Sequence, residues 1–119
     1  MSRRTTKSPT EAPLNATVTQ YSALALQRGV VVHHSPNAGR RSFQAQRALK
    51  SNDVRKGWPD IELVAGGKVY FVELKAAGRY PSPAQRACHA DLERAGCKVA
   101  VARSLKEVEP VVRAWGLTR

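Results

Sequence analysis

Apolar residues recur at Leu14, Val18, Tyr21 and Ala25, one face of a helix that Gly29 is placed to end. The run Val30, Val31, Val32 reads as a buried strand leading into a turn-rich loop from His33 through Pro36 and Asn37 to Gly39. Residues 43–49 suggest a short helix, closed by Ser51 and Asn52. Residues 60–64 and 69–75 then read as two strands, and Gly66-Gly67 between them is a strong two-residue hairpin signal. Ser82, Pro83 and Gln85 open a helix in the pattern of a capping box, with Ala84, Ala87, Cys88, Leu92 and Ala95 as its apolar face and Gly96 as its stop. Residues 98–101 form another strand. A last helix starts at Ser104, and Pro110 kinks or restarts it. The order helix, strand, hairpin, helix, strand, helix predicts a small α/β domain built on a mixed β-sheet.

The hairpin carries a geometric consequence. With Gly66 and Gly67 at the turn, Val64 faces Val69, Leu63 faces Tyr70, and Asp60 faces Glu73. Directly opposed residues hold their Cβ atoms ~4.5–5.5 Å apart on one face of the sheet. Lys75, two residues beyond Glu73, shares that face by alternation. Two opposed carboxylates repel, so either one is protonated or a cation sits between them. Mg²⁺ suits such oxygen donors, and the Lys75 ammonium would orient a water or stabilise phosphate charge. The plainer alternative is a strand-end ion pair of Asp60 or Glu73 with Lys75. Glu62 has the parity of Asp60 and reads as part of a solvated rim.

Charge adds the partner. The chain of 119 residues has 20 Lys and Arg against 9 Asp and Glu, a net charge of +11. Such an excess on one domain points to a polyanion, nucleic acid ahead of membrane. Arg40, Arg41, Arg47, Lys50, Arg55 and Lys56 crowd a stretch holding one acid, Asp53, and run directly into Pro59-Asp60. We read them as phosphate contacts flanking the site, which position a backbone and do not read bases. Residues 1–13, with Arg3, Arg4 and Lys7, read as a flexible basic arm ahead of a single domain over 14–119. Cys88 and Cys97 fit reduced thiols, no apolar run approaches a membrane span, and the start lacks a secretory pattern, so the expected location is the cytoplasm. Trp58 and Tyr80-Pro81 read as packing residues, Trp58 with base stacking as its alternative.

Pro59-Asp60, twelve residues, then Glu73-Leu74-Lys75 matches the motif of the PD-(D/E)XK nucleases. With Gly57-Trp58 before it, Ser82-Pro83-Ala84-Gln85 after it, His34-Ser35-Pro36-Asn37-Ala38-Gly39 upstream and residues 95–102 downstream, the chain resembles the VRR-NUC family over roughly residues 17–115. Its length is similar to the stand-alone form of bacteriophages and bacteria, which would act in the host cytoplasm if phage-encoded. The resemblance implies a restriction-endonuclease-like core, a mixed β-sheet flanked by helices. It also implies metal-dependent hydrolysis of phosphodiesters in branched DNA, Holliday junctions above all, by a homodimer.

Carried over by position, the resemblance makes Asp60, Glu73 and the Leu74 carbonyl ligands of Mg²⁺, with Mn²⁺ able to substitute. It makes Lys75 the catalytic lysine and brings Gln85 back to the site. His34 and Asn37 would line the site or touch the scissile strand. The capping box remains the structural alternative for Gln85. Family members carry a glutamate on the first helix, whereas Ala16-Thr17-Val18-Thr19-Gln20 has no acid, and Glu11 is the upstream candidate. That departure leaves open one metal ion or two. It also leaves open a flap, nicking or restriction-type nuclease, and a non-catalytic DNA-binding relative. An RNA-binding structural protein ranks last, because it gives the Asp60–Glu73 pairing no purpose.

Overall fold

A computed structural model describes residues 25–35 and 55–119. The helices expected before residue 25 and over 43–49, the arm, Glu11, Asn37, Arg40, Arg41, Arg47 and Lys50 lie outside the described residues. Within them, four strands and two helices follow the expected order. These are β1 (Val31–His34), β2 (Ile61–Ala65), β3 (Lys68–Leu74), α1 (Pro83–Arg94), β4 (Lys98–Ala102) and α2 (Leu105–Ala114). The sheet runs β1-β2-β3-β4, antiparallel at the first two junctions and parallel between β3 and β4. The architecture is α/β with a mixed sheet, as the pattern predicted.

The β2–β3 hairpin sets the rest. Gly66 and Gly67 take φ of 59° and 76°, which L-residues rarely adopt and a tight hairpin turn needs at both central positions. The register follows from that turn, with Val64 opposite Val69, Leu63 opposite Tyr70 and Ile61 opposite Val72. Alternation then sorts the side chains. Ile61, Leu63, Tyr70, Val72 and Leu74 point to one face and form the main core with Ala102, Leu26, Leu117 and the α2 residues Val108 and Val112. The opposite face carries Phe71 and Glu73, against which Trp58 and α1 pack. The Trp58 ring stands edge-on to Phe71 at 5.4 Å. The two helices therefore cover opposite faces of one sheet.

Three local expectations need correction. The valine run is not a buried strand: Val31 is 62% exposed and Val32 half-buried. The strand instead continues through His33 and His34, because β1 is the outer strand of the described sheet and has a neighbour on one side only. On α1 the buried residues are Cys88 and His89, while Ala87 and Ala95 are exposed. The helix is turned so that polar side chains reach Glu73, and small alanine side chains lose little apolar burial by facing water. Finally, Pro110 does not restart the last helix, which runs unbroken from Leu105 to Ala114. Proline has no N–H to give the carbonyl four residues back, and both Lys106 and Pro110 are exposed, where a missing helical bond costs least.

Candidate active site

Asp60 immediately precedes β2 and Glu73 is the penultimate residue of β3, so the hairpin register carries them to one end of the sheet. Both are removed from water, at 5% and 1% exposure. The Leu74 N–H donates to Asp60 Oδ2 at 2.7 Å, and the Asp60 carboxyl is hydrogen-bonded to that of Glu73. Burial, first, and then the hydrogen bond and charge of Glu73 push Asp60 up to about 8, against the Leu74 N–H and the charge of Lys75. Two carboxyl oxygens within hydrogen-bonding distance need a proton between them, and at neutral pH Asp60 holds it.

Glu73 then accepts from two more donors, both on α1. Gln85 Nε2 donates to Oε2 at 3.2 Å, and His89 Nε2 lies 3.1 Å from Oε1. Burial holds the His89 ring below the ordinary histidine range, Glu93 and Asp60 opposing and Lys75 reinforcing. The contact is therefore a neutral-imidazole hydrogen bond with the proton on Nε2, and not an ion pair. Sequence reasoning missed His89. The signal was its spacing, four residues beyond Gln85 and so on the same side of the helix.

The two readings of Gln85 hold together, because its amide has two ends. The Oε1 atom accepts from the Ser82 N–H at 2.8 Å, and the Gln85 N–H donates to Ser82 Oγ at 3.1 Å, completing the capping box. The Nε2 end is left to hold Glu73. Gly57 sets how close the incoming loop comes to this turn. Its φ is 85°, and a Cβ there would stand 2.5 Å from the Ala84 carbonyl oxygen and 2.9 Å from the Gln85 nitrogen. The same loop is tied to α1 by Arg55, whose Nη2 meets Asp91 Oδ2 at 2.7 Å.

Lys75 follows β3, half-buried, its N–H donating to the Ala102 carbonyl at 3.0 Å. Its charge acts on both Asp60 and His89, which places Lys75 within electrostatic reach of the acidic pair. His34 is half-buried across from Ile61, and its neighbour His33 is exposed across from Glu62. Burial and then His33 lower His34, while Asp60 raises it, which places His34 within electrostatic reach of the site. Glu62 is half-buried opposite Phe71, and Lys56 is exposed. Cys88 and Cys97 are free thiols, as expected. Among the described residues no helix is long and apolar enough to cross a membrane.

A family model described as the VRR-NUC domain matches residues 2–106. The chain belongs to the VRR-NUC family, a family of nucleases. Among solved structures it is similar to a VRR_NUC domain protein, at 25% identity and a TM-score of 0.71, over 90% of this chain and 88% of the other. A second, a VRR_NUC domain, shares the fold at 23% identity and a TM-score of 0.58, over 90% of this chain and 99% of the other. The chain matches none of the curated proteins. As a VRR-NUC fold, the sheet and its helices fit a restriction-endonuclease-like core.

Whether the VRR-NUC site suits a divalent metal is a question of donors. Asp60 and Glu73 offer hard carboxylate oxygens, brought together at one end of the sheet. Among the described residues no three His, Cys, Asp or Glu side chains converge as a cage. The hard oxygens of Asp60 and Glu73 are the donor type that Mg²⁺ takes, one or two carboxylates completed by water and substrate oxygens. The residues fit the ion.

Proposed function

We propose that this VRR-NUC chain is a Mg²⁺-dependent endonuclease that hydrolyses phosphodiester bonds of branched DNA, the four-way junction first among its substrates, in the cytoplasm. The observation that carries the reading is the pair of buried acids Asp60 and Glu73, held together within electrostatic reach of Lys75. A fold does not hide two repelling acids without use for them, since each carries a desolvation cost unless paired.

Asp60, Glu73 and the Leu74 carbonyl would hold the ion, and Mn²⁺ would substitute for Mg²⁺. When bound, the metal lowers the pKa of water and neutralises charge gathering on the scissile phosphate. The chain's own residues do the rest. The Leu74 N–H fixes the Asp60 carboxyl, and Gln85 and His89 hold that of Glu73, so both are aimed before substrate arrives. Lys75 brings a positive charge to the developing phosphate charge. His34, Asn37, Arg40, Arg41, Arg47, Lys50, Arg55 and Lys56 would line the approach of the strand and meet its phosphates, positioning the backbone. A homodimer suits the two-fold symmetry of a four-way junction.

The test is a panel of four-way junction, flap, nicked and linear duplex DNA with Mg²⁺ or Mn²⁺. We expect the junction to be cut by paired symmetric nicks, and alanine at Asp60, Glu73 or Lys75 to abolish cutting while sparing DNA binding. Undiminished turnover in those three variants overturns the site. Cutting of flaps or nicks alone replaces the substrate, and junction binding that never leads to cutting marks a non-catalytic relative.

A further inference from the structure

The loop from Lys75 to Ser82, which joins β3 to α1, holds a feature that the cleavage chemistry does not use. Tyr80 is 76% exposed, against 8% for Tyr70 in the core. An exposed aromatic is ordinary when isolated, but this one is held. The Arg103 guanidinium carbon lies 5.0 Å from the Tyr80 ring centroid. That guanidinium is in turn fixed by two hydrogen bonds to the Arg79 carbonyl, from Nε at 3.0 Å and Nη2 at 2.8 Å. On the other side of Tyr80, Arg86 Nη1 donates to the Pro81 carbonyl at 2.7 Å. The Arg79 N–H closes the turn onto the Ala76 carbonyl at 3.0 Å. Each residue flanking the ring is thus latched by an arginine from another element. Glu107, the nearby acid, is engaged through Oε1 with the Arg103 N–H.

The place matters as much as the geometry. Arg103 directly follows Ala102, whose carbonyl accepts the Lys75 N–H. Tyr80 lies five residues beyond Lys75 and five before Gln85, and five extended residues reach at most about 18 Å. The ring therefore stands within a few nucleotides of any phosphate held at Lys75. It is bordered by Arg79, Arg86 and Arg103, which are cations whatever the pH. A fixed aromatic ring with guanidinium groups around it presents a stacking surface for a base and charge for the phosphates on either side.

We infer that Tyr80, backed by Arg103, is a stacking platform for an unstacked base face of the strand entering the active site, with Arg79 and Arg86 facing the flanking phosphates. This rests on the nucleic-acid reading above and deepens it. A base inside an intact duplex has no free face to offer, whereas a branch point does. The platform is therefore a source of preference for branched over linear DNA at the site itself.

The experiment measures binding in EDTA, where cleavage plays no part, of full-length Tyr80→Ala, Tyr80→Phe and Tyr80→Trp. The probes are a four-way junction, a single strand and a fully paired duplex of equal length, with 2-aminopurine at the branch. Loss of one stacked base predicts about 5- to 150-fold weaker binding of junction and single strand by Tyr80→Ala. Duplex binding stays unchanged, and the Phe and Trp variants bind as the parent does. Bound 2-aminopurine is quenched by the parent and not by Tyr80→Ala. Equal loss on duplex, no loss on any probe, or a Phe variant as weak as the Ala variant overturns the platform. The outcome is separable from the nuclease reading. A chain that shows the stacking pattern but cuts nothing keeps the platform and loses the nuclease, and one that cuts normally as Tyr80→Ala with no change in binding does the reverse.

Discussion

Replacing Asp60 with Asn should make the metal-free protein more stable at neutral and mildly alkaline pH while abolishing cleavage. The reasoning starts from the shared proton. Folded Asp60 titrates at about 8 and the free side chain near 3.8. A carboxyl raised on folding gives its full contribution to stability below the unfolded value, and that contribution drains away as the pH climbs towards the folded one. His34 and His89 are both lowered on folding. Their penalty falls below about pH 6.5, where the unfolded rings protonate. The window from pH 7 to 8 therefore reports chiefly on Asp60, because few unfolded imidazoles still hold a proton there. Across that one pH unit, with the slope halved as Asp60 itself titrates at about 8, the native protein should lose about 1 kcal/mol, or roughly 3–6 °C of melting temperature.

Asparagine mimics the protonated acid without the pH dependence. Its oxygen can accept the Leu74 N–H and its amide can donate to Glu73, so both contacts of Asp60 survive. Urea or thermal unfolding in EDTA at pH 7, 7.5 and 8 should show a falling line for the parent and a nearly flat one for Asp60→Asn, which crosses above it. Adding Mg²⁺ at pH 8 should restore the parent and leave the variant unmoved. A parent whose stability is level or rising across that window, or a variant that is the weaker at pH 8, refutes the shared proton.

Two more outcomes follow from the donors and the loop. Alanine at His89 strips one hydrogen bond from a fully buried carboxylate and should cost about 1–3 kcal/mol at pH 7. The stability lost on acidification below 6.5 should also become shallower, because one histidine that must stay neutral is gone; urea midpoints between pH 5 and 7 identical to the parent's would disprove the contact. Gly57→Ala places a methyl 2.5 Å from the Ala84 carbonyl oxygen at φ of 85°, at a cost of about 2–4 kcal/mol. Because the first turn of α1 must yield, cleavage should fall as well, and a variant that melts and cuts like the parent would show that the loop does not set Gln85.

What the sequence made legible were the features with local causes. Gly66-Gly67 dictates a turn, the turn dictates a register, and the register puts Asp60 opposite Glu73, all within fifteen residues. Ser82 and Gln85 likewise announce their cap at three residues' spacing. What escaped depends on neighbours distant in the chain. Nothing in Val30-Val31-Val32 says that the strand would lie at the edge of the described sheet with one face open to water. The apolar periodicity of α1 singled out Ala87 and Ala95, yet the helix orients on Glu73, a demand set by β3. His89 was passed over for the same reason: a histidine between Cys88 and Ala90 reads as chemistry only once the acid across from it is known.

The β2–β3 hairpin has a consequence for how such proteins diverge. Its inward faces, Ile61, Leu63 and Val72 on one side and Asp60 and Glu73 on the other, are written on alternate letters of the same two strands. One set specifies the architecture and the other the chemistry, and a slip of one residue would exchange them and destroy both. Point substitution has no such coupling. A lineage can rewrite the acidic letters while every apolar one stays in place, and by the argument for Asp60→Asn it gains stability as it does so. In this hairpin the architecture and the acidic pair are therefore separable by point substitution, but inseparable under any change of register.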